Sequence, residues 1–177
     1  MGKKNFIIRK AITSDIEAIR KLSRISFKIY AENAGITELT TPLEETYHDI
    51  KNAIETTNVF VALYKQKVIG SVRIEIRSDN TAYLSRFGVS SLYQKNGIGK
   101  ILMVAVDNLM IELGITYLYL HTSSKMSSLI RFYYGRCFYI ESTNNDRGYI
   151  RALLCKEYDS ETLENSLENI SCDSAVV

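Results

Sequence analysis

Residues 89–102 read Val89-Ser90-Ser91-Leu92-Tyr93-Gln94-Lys95-Asn96-Gly97-Ile98-Gly99-Lys100-Ile101-Leu102. The stretch leaves the end of a strand, crosses a tight polar loop and enters a helix expected from about Ile98. Gly97 and Gly99 let main chain approach a bulky anion with no Cβ in the way. The first N–H groups of a helix have no intrahelical acceptor, and the helix dipole adds partial positive charge there. Lys95 and Lys100 add full charges. A pyrophosphate suits this turn.

Three phosphate motifs compete for it. A Walker A loop needs Gly-x-x-x-x-Gly-Lys-Ser/Thr, but Gly99-Lys100 is followed by Ile101 and Gln94 holds the place of the first glycine. A dinucleotide fingerprint needs a third glycine where Leu102 stands. The pattern Gln/Arg-x-x-Gly-x-Gly/Ala is met by Gln94, Gly97 and Gly99, after a strand ending Phe87-Gly88-Val89.

Upstream, Asn5 to Lys10 reads as a strand. Thr13-Ser14-Asp15 starts a helix, with Ser14 and Glu17 as its capping box. Ala31 to Thr40 has loop character around Gly35. Thr41-Pro42 starts a second helix, capped with Glu44 and carrying Leu43, Tyr47, Ile50 and Ile54 on one side. Asn58 to Tyr64, Val68 to Ile76 and Thr81 to Val89 form an antiparallel meander on short polar turns. Downstream, Gly114 ends the long helix. Thr116 to His121 is a strand, Ser127 to Gly135 a helix, and two strands near Phe138 to Glu141 and Gly148 to Cys155 close the domain.

This order, with the motif at its centre, resembles the GNAT acetyltransferases over residues 5–157. The motif looks like their motif A, which holds the coenzyme A pyrophosphate. A second run, Leu129-Ile130-Arg131-Phe132-Tyr133-Tyr134-Gly135-Arg136-Cys137-Phe138, resembles the family's Ala-x-x-Phe-Tyr-x-x-x-Gly-Phe. It departs in two places: Cys137 replaces the usual glycine, and Met126 stands where an asparagine is common.

The resemblance implies a mixed α/β (α+β) fold. Its sheet is mostly antiparallel with one splayed parallel strand pair, and helices cover both faces. It implies acetyl transfer from acetyl-CoA to a primary amine by direct attack in a ternary complex. A non-catalytic acyl-CoA-binding regulatory module is the alternative. The implied coenzyme contacts are Phe87, Gly88, Val89, Gln94, Lys95, Asn96, Gly97, Ile98, Gly99, Lys100, Ser128 and Arg131. Tyr133 is the implied acid for the leaving thiolate. Glu75 is the first choice for the base, and a water chain to Glu44, Glu45 or His48 is the second. His121, at the end of the flanking strand, reads as a hydrogen-bonded structural histidine. Tyr30, Glu32, Tyr47 and His48 are the candidate liners of the acceptor pocket.

Bulk properties fit one domain. The chain has 177 residues, 46% hydrophobic and 24% charged, with a net charge of +2. That balance gives no push toward nucleic acid or membrane, and no signal segment or membrane-length apolar run is visible. Cys137, Cys155 and Cys172 are scattered and odd in number, which argues against a disulfide framework or a zinc site and for the cytoplasm. No metal is expected, and a homodimer is left open. The domain is expected over 1–158, and the acidic residues 159–177 form a tail.

Overall fold

In the computed structural model, residues 5–36 and 44–158 are described. The layering follows from alternation along one strand. In Asn58–Tyr64 (β2), Phe60 and Ala62 enter one apolar cluster while Val59, Val61 and Leu63 enter another. Successive strand residues point to opposite faces. Both faces of β2 are buried, which is why it reads as an unbroken apolar run.

Ile7–Lys10 (β1) precedes β2, with Ile16–Ala34 (α1) and Tyr47–Thr56 (α2) between them. Lys67–Ile76 (β3), Thr81–Val89 (β4), Ile98–Glu112 (α3) and Tyr117–Ser123 (β5) follow. Ser127–Tyr134 (α4), Tyr139–Asn144 (β6) and Arg151–Glu157 (β7) complete the domain. The seven strands lie in the order β1-β2-β3-β4-β5-β7-β6, and β4–β5 is the parallel pair. Ile98, Leu102, Val106 and Met110 of α3 pack with Tyr133 of α4 over one face. Ile16, Ile19, Ile50 and Ala53 of α1 and α2 cover β2 on the other. The expected fold class is the one observed.

Two helix starts differ from expectation. Asp15, not Ser14 with Glu17, organises the first. Its carboxylate accepts the Ile12 N–H at 2.9 Å and two N–H groups of Arg9 at 2.6 and 3.0 Å, across a short 3-10 turn at Thr13–Asp15. Burial alone would raise that carboxyl, but the Arg9 hydrogen bond, the Ile12 N–H and the Arg9 charge together hold it below its ordinary value. The helix then runs to Ala34, through the start of the expected loop, and stops at Gly35, whose φ of 68° is left-handed. The second helix begins at Tyr47. Thr46 Oγ1 accepts the Asp49 N–H at 3.2 Å and the Asp49 carboxylate accepts the Thr46 N–H at 2.8 Å. Glu44 lies in the preceding turn. Thr41, Pro42 and Leu43 lie outside the described residues, as does the chain from Asp159 on.

Among the described residues, no helix is long and apolar enough to cross a membrane.

Candidate active site

The parallel pair opens into a wedge. Thr81, Ala82 and Tyr83 face Tyr117, Leu118 and Tyr119, and pairing stops there although both strands continue. Main-chain groups beyond the fork can be assigned from the flanking ladders. Ser90 N–H donates to Ile69 O at 2.8 Å. By antiparallel alternation Gly88 also faces β3, so Val89 N–H points into the wedge. The Val89 carbonyl accepts from Gln94 Nε2 at 3.1 Å. On the other lip, Ser124 N–H donates to Ile150 O at 3.0 Å. The same alternation turns the main-chain groups of His121 and Ser123 away from β7 and toward the wedge.

Helix α3 starts at the wide end of this wedge. Gly97 is its N-cap, with φ 79°, and no side chain caps it. The first intrahelical bond runs from Ile101 N–H to Gly97 O at 3.0 Å. The N–H groups of Ile98, Gly99 and Lys100 therefore have no intrahelical acceptor. The Ile98 side chain is buried core, so that residue offers a ligand only its main chain. Lys95 and Lys100 are exposed, and Asn96 braces the loop by donating to Tyr93 O and Gln94 O at 3.1 Å. A Cβ on Gly99 would lie 3.3 Å from Phe87 and 3.4 Å from Phe132, so this glycine also makes room for an aromatic stack.

That stack brings Tyr133 to the wedge. Phe87, near the end of β4, stacks on Phe132 at 5.6 Å and lies 6.2 Å from the Tyr133 ring. Tyr133 is only 4% exposed, whereas Tyr134 is 50% exposed on the outer side of α4. Burial first, and then the neighbouring Tyr30 phenol, push the Tyr133 hydroxyl well above its ordinary value. Tyr30 reaches from α1 across to β5, where its oxygen accepts the Ser123 N–H at 2.7 Å. Gly88 lets α1 approach β4, since a Cβ there would lie 3.1 Å from Ser26 Oγ.

Below the fork, on the α1–α2 side, an open cavity of about 390 Å³ is polar nearly all round. Glu45, 10% exposed, pairs with Arg73 at 2.8 Å and with Arg86 at 3.1 Å. Glu75 lies on the same wall, exposed, and is register-paired with Tyr83. Tyr83 also lines the cavity, and its hydroxyl lies 2.9 Å from His121 Nδ1.

The family model described as "Acetyltransferase (GNAT) family" matches residues 19–137. The chain belongs to the GNAT acetyltransferase family. Among solved structures, the PaiA N-acetyltransferase of Thermoplasma acidophilum in complex with coenzyme A is 24% identical with a TM-score of 0.77, over 87% of this chain and 99% of that one. The yncA protein of Salmonella typhimurium with its cofactor acetyl-CoA is 16% identical with a TM-score of 0.72, over 88% and 95%. The ribosomal-protein-S18-alanine N-acetyltransferase of Escherichia coli is 14% identical with a TM-score of 0.69, over 86% and 94%. Comparison with curated proteins gives no match.

Within this GNAT domain, Phe87 to Val89, Gln94 to Lys100 and Tyr133 converge on the wedge, and Tyr30 crosses it. Ser128 and Arg131 are exposed on α4. Tyr47 and His48 are exposed on the first turn of α2 and Glu32 is exposed near the end of α1. None of these three is among the cavity's lining residues. Sequence reasoning missed the Glu45–Arg73–Arg86 cluster and the Tyr83–His121 contact. Each joins residues from separate elements, and no local motif announces it.

Proposed function

We propose that the protein transfers an acetyl group from acetyl-CoA to a small polar primary amine, by direct attack in a ternary complex. The observation that carries this reading is a forked parallel strand pair with an inward main-chain donor, Val89 N–H, ending at a helix start with three free N–H groups. The coenzyme pyrophosphate docks on Ile98, Gly99 and Lys100 N–H, helped by Lys95 and the Lys100 side chain. The pantetheine arm enters the wedge and pairs with β4. Coenzyme A or acetyl-CoA in the PaiA and yncA structures supports the same use of this fold. Ser128 and Arg131 contribute from α4.

Main-chain N–H groups near Phe87 to Val89 meet the charge that builds on the thioester oxygen. Tyr133 donates to the leaving sulfur. Its burial makes the phenol a weak acid, so it serves as a hydrogen-bond donor to the thiolate more than as the source of a fully transferred proton. The amine waits in the polar cavity. Arg73 and Arg86 share Glu45, and with Asp49 and Glu75 on the same lining the carboxylates outnumber the guanidinium groups. Glu75, outside that ion-pair cluster, is the carboxylate that draws in an ammonium.

The test is thiol release from acetyl-CoA across a panel of amines, alongside calorimetric binding of acetyl-CoA. Release with at least one polar amine supports the proposal. Tight binding without release for any amine supports the non-catalytic module, and absence of binding refutes both.

A further inference from the structure

We propose that Glu45 is a positioning residue for acyl transfer: through Arg86 it holds a left-handed bulge in β4, and that bulge keeps the Val89 N–H aimed into the wedge. This rests on the acyl-transfer reading above. Glu45 touches neither the amine nor the acetyl group in this role. It acts only through the main chain that meets the thioester.

The bulge decides which way the upper half of β4 faces. Below it, Arg77 N–H donates to Thr81 O at 2.8 Å, and alternation from that pair turns the main chain of Tyr83 and Ser85 toward β3. Above it, Ser90 N–H donates to Ile69 O, and Gly88 faces β3 as well. A regular strand has one residue between two that face the same neighbour. Here there are two, Arg86 and Phe87, and pairing with β5 has already ended at Tyr83. Were the bulge to flatten by one residue, Gly88 would turn to the wedge and the Val89 N–H would turn to β3. The thioester would then lose the donor assigned to it.

The bulge is held against its own backbone preference. Arg86 adopts φ 53°, a left-handed conformation disfavoured for any residue with a Cβ. Glycine would take it freely. A strained residue of this kind persists only where its surroundings over-determine it. Phe87 supplies one grip, stacked on Phe132 at 5.6 Å on the α3 side. Glu45 supplies the other from the opposite face. Its Oε1 lies 3.1 Å from Arg86 Nε and 2.8 Å from Arg73 Nη1. Arg73 pairs with Ser85 just below the bulge, so this one oxygen ties β3 to β4 across the irregularity. The Arg73 contact is an aligned hydrogen bond, whereas Arg86 Nε has no aligned acceptor, so Glu45 holds Arg86 by charge.

Glu45 is itself fixed. Its carbonyl accepts Arg20 Nε of α1 at 3.2 Å, and Thr46, the next residue, caps α2. With 10% of its side chain exposed, the carboxylate works where water screens it weakly.

Arg86→Gly and Arg86→Ala separate the backbone from the charge. Both lose the contact with Glu45, but only glycine keeps the left-handed bulge without it. The left-handed penalty corresponds to roughly 5- to 30-fold in population, so kcat of Arg86→Gly should exceed that of Arg86→Ala by about that factor. KM for the amine should move alike in the two, since both lack the same guanidinium. Equal kcat values, with a difference only in Tm or in KM for the amine, overturn the proposal. Glu45→Gln keeps the shape and removes the charge. Its loss of kcat should be largest in the wild-type chain and should shrink in the Arg86→Gly background, where no hold is needed. A loss of the same size in both backgrounds overturns the proposal. Should Glu45→Gln unfold, the Arg86 pair decides.

A readout without turnover uses the ¹³C-labelled ketone analogue of acetyl-CoA in which CH2 replaces the sulfur. A hydrogen bond to its carbonyl moves the ¹³C resonance downfield. On Arg86→Gly the bound analogue should therefore resonate downfield of its position on Arg86→Ala. Coincident resonances overturn the positioning role alone. Wild-type protein that binds acetyl-CoA but acetylates no amine overturns the acyl-transfer reading and the positioning role with it.

Discussion

Replacing Cys137 with glycine should stabilise the protein. Helix α4 closes with Phe138 N–H donating to Tyr133 O at 3.2 Å and Cys137 N–H donating to Tyr134 O at 3.1 Å. This is the paired bond pattern that needs a left-handed residue between the last helical turn and the approach to β6, a place usually held by glycine. Cys137 takes that role with φ 63°. A residue with a Cβ gives up roughly 1–2 kcal/mol to hold this conformation. Glycine regains that amount but loses about 0.4–1 kcal/mol through its freer unfolded chain. The net expected gain for Cys137→Gly is about 0.5–1 kcal/mol, or about 1–4 °C in Tm for a chain of this size. Urea unfolding should move its midpoint with an unchanged slope. Cys137→Ala keeps the Cβ and removes only an exposed thiol, so it should stay within about 0.5 kcal/mol of wild type. Lower stability in Cys137→Gly, or an equal gain in Cys137→Ala, would refute the backbone argument. Turnover should not change, because the Tyr133 carbonyl keeps both of its partners.

Other perturbations probe the site and its frame. Tyr133→Phe should lower kcat by about tenfold or more with little change in acetyl-CoA affinity, and Tyr134→Phe, on the exposed side, should do nothing. Gly97→Ala strains a backbone at φ 79° with open space around it, so it should weaken acetyl-CoA binding with the fold kept. Gly99→Glu should both weaken binding and lower Tm, since its Cβ presses on Phe87 and Phe132. Glu45→Gln leaves Arg73 and Arg86 facing each other with only a neutral partner. It should cost roughly 1.5–3 kcal/mol by chemical unfolding and raise KM for a cationic amine. The Arg9–Asp15 pair predicts acid sensitivity. Its contribution is complete above the unfolded carboxyl value of about 3.9 and drains as pH falls through the lower folded value, so Asp15→Asn should flatten stability across that window.

The meander and α3 were legible because their signals are local. Asn58–Tyr64 and Thr81–Val89 fall between polar turns that any strand needs, and Ile98 follows a glycine that only a turn requires. Helix starts were harder because capping residues crowd together. Ser14 and Asp15 both can cap, and burial next to Arg9 selects Asp15. Thr41 and Thr46 both open plausible boxes, and Asp49 completes the second. The Tyr83–His121 contact needs the parallel register of strands some thirty residues apart, which follows from packing of α3 and not from either strand's own sequence.

The placement of Phe87 shows how far one irregularity carries. Ser71 pairs with Gly88 but Arg73 pairs with Ser85, so Val72 faces two residues, Arg86 and Phe87. Strict alternation from Ala82 and Leu84, which point into the α3 core, would send Arg86 and Gly88 there as well. The extra residue resets the parity. Arg86, at φ 53°, turns to the cavity side with Ser85 and reaches Glu45. Phe87 and Val89 turn to the α3 side, and Phe87 there meets Phe132 and Tyr133. A non-glycine left-handed residue carries no mark in the sequence, so the bulge was not readable at Arg86. Yet it alone puts a charged cavity wall and the aromatic support of Tyr133 on opposite faces of one strand, with the wedge between them.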